Sequence, residues 1–165
     1  MSNKYFKELD VKFLEEKNSF ASIDVGPFER GYAVTIGNAL RRTLLTSLPG
    51  AAITSIKIDG VSHEFSTIKG VSTDTTDIIL KLKKVRFKMI DEDANSELIN
   101  FDVEGPCIFT AGQLNEYLTD FKVINQKEEL FEITSKKKLT IDLRVSRGKG
   151  YVASTHNKRP DDTVG

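Results

Sequence analysis

Residues 28–50, FERGYAVTIGNALRRTLLTSLPG, constrain the fold more than any other part of this chain. Apolar residues recur at Ile36, Leu40 and Leu44, the spacing of one helical face, with Ala39, Thr43 and Ser47 flanking them. Pro49-Gly50 stops the helix. At about 100° per residue Leu45 falls away from the stripe, near Arg41 and Arg42. A bare Leu beside two arginines is wasteful on a solvated face. The bland reading is a surface helix with a stray Leu. The sharper one is a helix with two working faces, one packed on its own sheet and one offered to a partner protein. The arginines carry that inference, because Arg is enriched at interface hot spots and Leu is not. Gly37 costs about 1 kcal/mol against Ala inside a helix, which suggests close approach of another backbone.

Elsewhere the patterns alternate between strand and helix periods. Residues 1 to 17 are mixed and charged and read as poorly ordered. Ala21, Ile23 and Val25 alternate with Ser22 and Asp24, a half-buried strand that Pro27 ends. Ile56 and Ile58 lead to the turn signal Asp59-Gly60, and residues 61–66 would return as the second arm of a hairpin. Gly70 ends an exposed connection. Residues 72–84 read as a second helix with Ile78, Ile79 and Leu82 on one face. Its early Asp74 and Asp77 and late Lys81, Lys83 and Lys84 suit the helix dipole.

Val85, Phe87 and Met89 form a strand, and Ile99, Phe101 and Val103 another, closed by Gly105-Pro106. Thr110 with Gln113 resembles a capping box for a short helix. Phe131 and Ile133 suggest a further strand, and Leu139, Ile141, Leu143 and Val145 alternate most cleanly. From Ser146 the chain turns polar and glycine-rich. The class is α+β with mostly antiparallel sheets. The break at Pro49-Gly50 is a plausible border between residues 1–49 and 50–165.

Charge and cysteine usage narrow the function. Lys plus Arg equals Asp plus Glu, 24 each, whereas a polyanion binder needs clustered positive excess. With four Tyr and no Trp, a nucleic-acid-binding α+β module is the weaker alternative. Cys107, the one cysteine, reads as a small buried hydrophobe beside Ile108 and Phe109. No intrachain disulfide or cysteine-rich metal site can form around it. Residues 1–4 lack the apolar run of a signal peptide, and no stretch reaches the roughly 18 apolar residues of a membrane span. A reducing cytoplasmic setting is the default expectation.

No constellation of catalytic residues emerges. His63-Glu64 could pair as acid and base, but neighbours on a strand point to opposite faces. His156 lies in the polar tail, far along the chain from His63. Arg147-Gly148-Lys149-Gly150 lacks the phosphate-loop spacing and reads as a turn. Lys136-Lys137-Lys138 reads as a solvated strand entrance. A small hydrolase would need a nucleophile–base pair that is not apparent. The expectation is a binding and scaffolding module, with no cofactor and no metal.

Several ordered blocks carry a resemblance. The helix at 28–50, residues 52–71 (AITSIKIDGVSHEFSTIKGV), 77–83 (DIILKLK), Gly105-Pro106, Thr110-Ala111-Gly112 and 147–152 (RGKGYV) are similar, in order, to the amino-terminal domain of bacterial RNA polymerase alpha subunits. Ala33 stands where the family commonly has Gly, and no Pro follows Val152. The resemblance implies an assembly scaffold that dimerises and recruits the beta and beta-prime subunits, the catalytic centre and its magnesium lying on another subunit. It implies beta contacts at Arg41, Arg42, Leu45, His63, Glu64, Phe65, Ser66, Thr67, Lys69 and Val71. It implies a long amphipathic dimerisation helix, with dimer contacts at Ile36, Gly37, Leu40 and Leu44. Residues 1–49 would be the first part of a dimerisation subdomain and 50–165 a subdomain inserted into it. The chain ends near where the family returns to the first subdomain, so the stripe on the helix is expected to be partly exposed. The family's carboxy-terminal DNA-binding domain would be absent, and no direct DNA or membrane contact is expected.

Overall fold

A computed structural model describes residues 9–17, 20–91 and 93–157. The start at residues 1–4 and the tail from 158 onward lie outside the described residues, so the readings made there are not addressed. Two compact units divide the chain, Met1–Leu45 and Thr46–Gly165.

In the first unit, β1 (Asp10–Lys17) and β2 (Phe20–Gly26) pair as an antiparallel hairpin, from Asp10 opposite Gly26 to Lys17 opposite Phe20. The charged character of residues 10–17 therefore does not leave them irregular, contrary to expectation. Val11 and Phe13 alternate with Asp10 and Lys12 and sit opposite Val25 and Ile23, so a cross-strand ladder forms despite the charge. The register shifts between Phe13 and Glu15, leaving Leu14 as the extra residue. Lys12 pairs with Asp10 at 3.0 Å, and Lys17 pairs with Glu15. Ala21 and Ile23 are exposed rather than half-buried; Val25 alone of the expected three is partly covered.

Helix α1 spans Tyr32–Ser47 and stops just before Pro49, as Pro-Gly requires. None of its residues is buried. Ile36, Leu40 and Leu44 are 39%, 54% and 58% exposed and Leu45 68%. The stripe is thus partly exposed and, among the described residues, does not pack on its own sheet as the two-faced reading expects. A side chain added at Gly37 would meet nothing within 4 Å, so the expected close backbone is not supplied by the described residues.

The second unit holds the core. It runs β3 (Pro49–Ile58), α2 (Thr75–Leu82), β4 (Phe87–Met89), β5 (Ser96–Glu104), β6 (Cys107–Thr110), a 3₁₀ turn (Ala111–Glu116), β7 (Phe121–Val123), β8 (Glu129–Ile133), β9 (Lys138–Lys149) and α3 (Ser154–Asn157). Three antiparallel sheets form, β3-β9-β5, β4-β7 and β6-β8. Strand β9 lies between β3 and β5. Its Leu139, Ile141, Leu143 and Val145 are buried, while Thr140, Asp142, Arg144 and Ser146 face outward, half-covered. The buried row packs with Ile99, Phe101 and Val103 of β5 and Ile78 and Leu82 of α2 in one cluster. Rings stack in series from its surface inward: exposed Tyr117 on Phe101 at 5.0 Å, Phe101 on Phe109 at 5.4 Å and Phe109 on Phe131 at 5.1 Å.

Several expectations need correction. Residues 61–66 form no strand, and the partner of β3 is β9, with four buried apolar residues on one face. Helix α2 begins at Thr75, not at 72, since Ser72 is drawn to Glu132 by two hydrogen bonds, from its N–H at 3.0 Å and its hydroxyl at 2.9 Å. Arg147, Gly148 and Lys149 do not turn. They prolong β9, opposite Ala51, Gly50 and Pro49. Cys107 is half-buried rather than fully enclosed. The 3₁₀ turn is capped as expected, the Thr110 N–H donating to Gln113 Oε1 at 2.8 Å. Lys138 enters β9 from solvent and pairs with Asp102 at 2.9 Å.

Two measurements check this packing. In urea denaturation, Leu143→Ala should cost about 2–5 kcal/mol, whereas Leu98→Ala, on the exposed face of the same sheet, should stay within about 0.5 kcal/mol. The second measurement concerns pH. The Thr140 hydroxyl, donating to Asp102 Oδ1 at 2.6 Å, and then Lys138 hold the Asp102 carboxyl below the usual carboxylate range. A depressed folded value stabilises above the unfolded value and is lost as pH falls through the folded one. The stability advantage over Asp102→Asn should therefore shrink on acidification through that window.

Candidate functional site

The second unit presents an irregular loop, residues 61–71, between β3 and α2. Asp59-Gly60 turns the chain out of β3, Gly60 taking φ +76°, and Val61 N–H closes the turn on the Ile58 carbonyl at 3.1 Å. Ser66 N–H then donates to the His63 carbonyl at 3.1 Å, and Val71 N–H to the Ile68 carbonyl at 3.0 Å. Ile68 is the one fully buried side chain of the loop and plugs it into the core.

Two neighbouring elements hold the loop. From α2, the Thr75 hydroxyl donates to the Ser66 carbonyl at 2.6 Å and the Thr76 hydroxyl to the Glu64 carbonyl at 2.8 Å. Thr75 is only 3% exposed, so an unmet hydroxyl there would cost about 1–3 kcal/mol. From the turn after β8, Thr134 N–H donates to the Gly70 carbonyl at 2.9 Å and Lys137 Nζ to the Lys69 carbonyl at 3.3 Å. Val71 bridges to Ile133. Gly70 adopts φ +85°, and a Cβ there would stand 2.1 Å from Ser135 Oγ. A glycine is required at that point both by backbone conformation and by space.

Held this way, the loop turns His63, Glu64, Phe65, Thr67 and Lys69 to solvent, with Ser66 and Val71 half-covered. Phe65 is 77% exposed, an apolar ring with polar neighbours. All seven loop positions singled out in the sequence therefore lie on one short connected segment. In the first unit, Arg41, Arg42 and Leu45 are exposed on α1, Leu45 lying four residues after Arg41 and three after Arg42 and so one turn from each. Ile36, Leu40 and Leu44, spaced by four, form its apolar stripe, with Gly37 beside them.

The arrangement sets exposed polar side chains around an exposed aromatic ring on a fixed backbone. His63 and Glu64 sit in a turn, not on a strand, so the opposite-faces argument does not apply to them. His63 Nδ1 lies 3.2 Å from Ser66 Oγ, a local contact within the same turn. Among the described residues no group of three or more His, Cys, Asp or Glu is placed to hold a metal ion, and no helix is long and apolar enough to cross a membrane. Sequence patterning missed Thr75 and Thr76 as tethers. The available signal was two β-branched hydroxyl residues opening a helix directly after Asp74, where ordinary helix formers would serve propagation better.

Residues 56–165 match the family model described as the RNA polymerase Rpb3/RpoA insert domain. The chain is similar to the DNA-directed RNA polymerase alpha subunit of Salinibacter ruber, 49% identical over 151 residues that cover 92% of this chain and 45% of that protein. It is similar to the same subunit of Bacteroides thetaiotaomicron, 45% identical over 148 residues, 90% of this chain and 45% of that one. The likeness to the Porphyromonas gingivalis subunit is 44% over 152 residues, 92% of this chain and 46% of that one. The chain thus spans about half the length of the curated relatives it matches.

The two loop and helix glycines separate in a melting experiment. Gly70→Ala should lower stability by about 1–3 kcal/mol, from left-handed backbone strain and the Ser135 clash. Gly37→Ala, with open space around it, should leave stability unchanged or raise it by up to about 1 kcal/mol.

Proposed function

The chain belongs to the RNA polymerase Rpb3/RpoA insert-domain family, and from that premise we propose that it is an assembly scaffold of DNA-directed RNA polymerase, one that dimerises through α1 and recruits the beta and beta-prime subunits. The observation that carries the reading is the loop at 61–71. It is fixed to the core at both ends yet turns an apolar ring, Phe65, into solvent. An exposed aromatic on a tethered loop is what a docking surface needs, because little ordering entropy remains to be lost on binding.

In this reading the second unit corresponds to the inserted subdomain and the first to the opening part of the dimerisation subdomain. Ile36, Gly37, Leu40 and Leu44 meet a second alpha chain, which supplies both the cover for the partly exposed stripe and the close approach that Gly37 allows. Arg41, Arg42 and Leu45, with His63, Glu64, Phe65, Ser66, Thr67, Lys69 and Val71, face the beta subunit. Arg42 suits bidentate pairing with a carboxylate, and Leu45 excludes water beside it. Nucleotidyl transfer belongs to the larger subunits, and this chain contributes no catalytic residue, metal ligand or cofactor site. The working compartment is the cytoplasm. Balanced charge speaks against the alternative of a nucleic-acid-binding module.

The test uses a full-length alpha chain carrying this sequence, with two readouts, capture of the beta subunit and thermal melting. Arg42→Ala should weaken capture by about 2 kcal/mol or more while shifting stability by only about 0.5 kcal/mol. Undiminished capture would remove Arg42 from the interface. Lost capture together with a collapsed melting temperature would make it a structural residue instead.

A further inference from the structure

We propose that Thr75 and Thr76 are positioning residues, whose hydroxyls fix the peptide unit just before Phe65 and the one that follows Ser66, and so hold the loop in its docking shape before the partner arrives. The proposal rests on the assembly reading above and adds to it a cause for the loop's shape. Glu64 and Ser66 flank Phe65 in the chain. Their carbonyls accept from Thr76 at 2.8 Å and Thr75 at 2.6 Å. The 64–65 peptide unit, which adjoins Phe65, and the 66–67 unit, one residue beyond it, are therefore tied to one helix. The loop's own backbone supplies little, one turn bond from Ser66 to His63 and one from Val71 to Ile68. The far end is held separately, by Thr134 and Lys137 on the carbonyls of Gly70 and Lys69. Around Phe65 the two threonines add to the Ser66-to-His63 turn bond that spans it.

Packing alone does not account for a threonine at 75. The residue is 3% exposed, and valine has the same shape without a polar atom to satisfy. Its hydroxyl donates to Ser66 at the short end of the normal range. Thr76, exposed at the helix start, uses its hydroxyl in the same outward direction rather than leaving it to water. Neither bond lies within the helix. Both reach back nine and twelve residues to the loop. Releasing them leaves α2 and the core in place and lets residues 64–67 sample other shapes. Apparent affinity then falls by the fraction of chains holding the competent shape.

The experiment compares Thr75→Val, Thr76→Ala, Thr75→Ser and Phe65→Ala in the full-length chain, by amide hydrogen exchange of the free protein and by the kinetics of beta-subunit capture. Thr75→Val should speed exchange across residues 64–67 and weaken capture roughly 5–10-fold, mostly through slower association. Thr75→Ser, which keeps the donor, should restore both. Thr76→Ala, an exposed change that leaves the core intact, should show the same pattern more weakly. Unchanged exchange at 64–67 in Thr75→Val, or weakened capture that Thr75→Ser does not rescue, would overturn the positioning role. Phe65→Ala separates the two levels. Lost capture in Phe65→Ala with normal capture in Thr75→Val would reject positioning and leave the docking loop standing. Normal capture in Phe65→Ala would reject the docking loop and the positioning role with it.

Discussion

The antiparallel zipper of β9 between β3 and β5 is the constraint on which the second unit depends. One strand has to satisfy two edges at once, and its buried row of Leu139, Ile141, Leu143 and Val145 fixes the register on both sides. A slip of one residue would turn that row to solvent and bury Thr140, Asp142, Arg144 and Ser146. The bulge at Thr54 absorbs the mismatch on the β3 side, and its hydroxyl meets Ser146 Oγ at 3.0 Å. Asp102 meets Thr140 and Lys138 on the β5 side, and Asn100 pairs with Asp142. Apolar contacts select the register on the inner face, and polar contacts match it on the outer one.

The loop stands outside that sheet. Apart from the bridge between Val71 and Ile133, residues 61–71 join no ladder and need other partners for their backbone. They find them in α2 and in the turn after β8, both anchored in the same core. A segment excluded from a sheet is in this way made rigid without being buried. The outcome is a tethered surface with an aromatic at its tip, the feature on which the assembly reading rests. The first unit contrasts with it. There the hairpin β1–β2 and helix α1 contain no fully buried side chain among the described residues, so most of their apolar surface is still available.

Much of this organisation was legible in the sequence, and the failures have physical reasons. Strict alternation identified β9 and β5, where one face is wholly buried. The Pro-Gly stop and the Thr110–Gln113 pair marked the ends of α1 and the 3₁₀ turn. Local pattern misjudged residues 61–66 because a hairpin signal at Asp59-Gly60 says nothing about a stronger, non-local competitor about 80 residues on. It misjudged residues 10–17 because exposed strands need not look apolar. It missed β6 and β7, of four and three residues, which are too short to show a period. The candidate loop was found by family likeness, and periodicity offered no route to it. The tethers at Thr75 and Thr76 were missed, since two threonines opening a helix hint at a hydroxyl role but not at partners nine and twelve residues back.

The central claim is that the 61–71 loop is a docking surface for a large polymerase subunit. Site-specific photocrosslinking tests it most directly, with a photoreactive side chain placed at Phe65 or, as a control, at Leu98 on the exposed face of the β3-β9-β5 sheet. In polymerase assembled with the labelled full-length chain, position 65 should crosslink to the beta subunit and position 98 should not. Crosslinking from 98 with none from 65 would contradict the account.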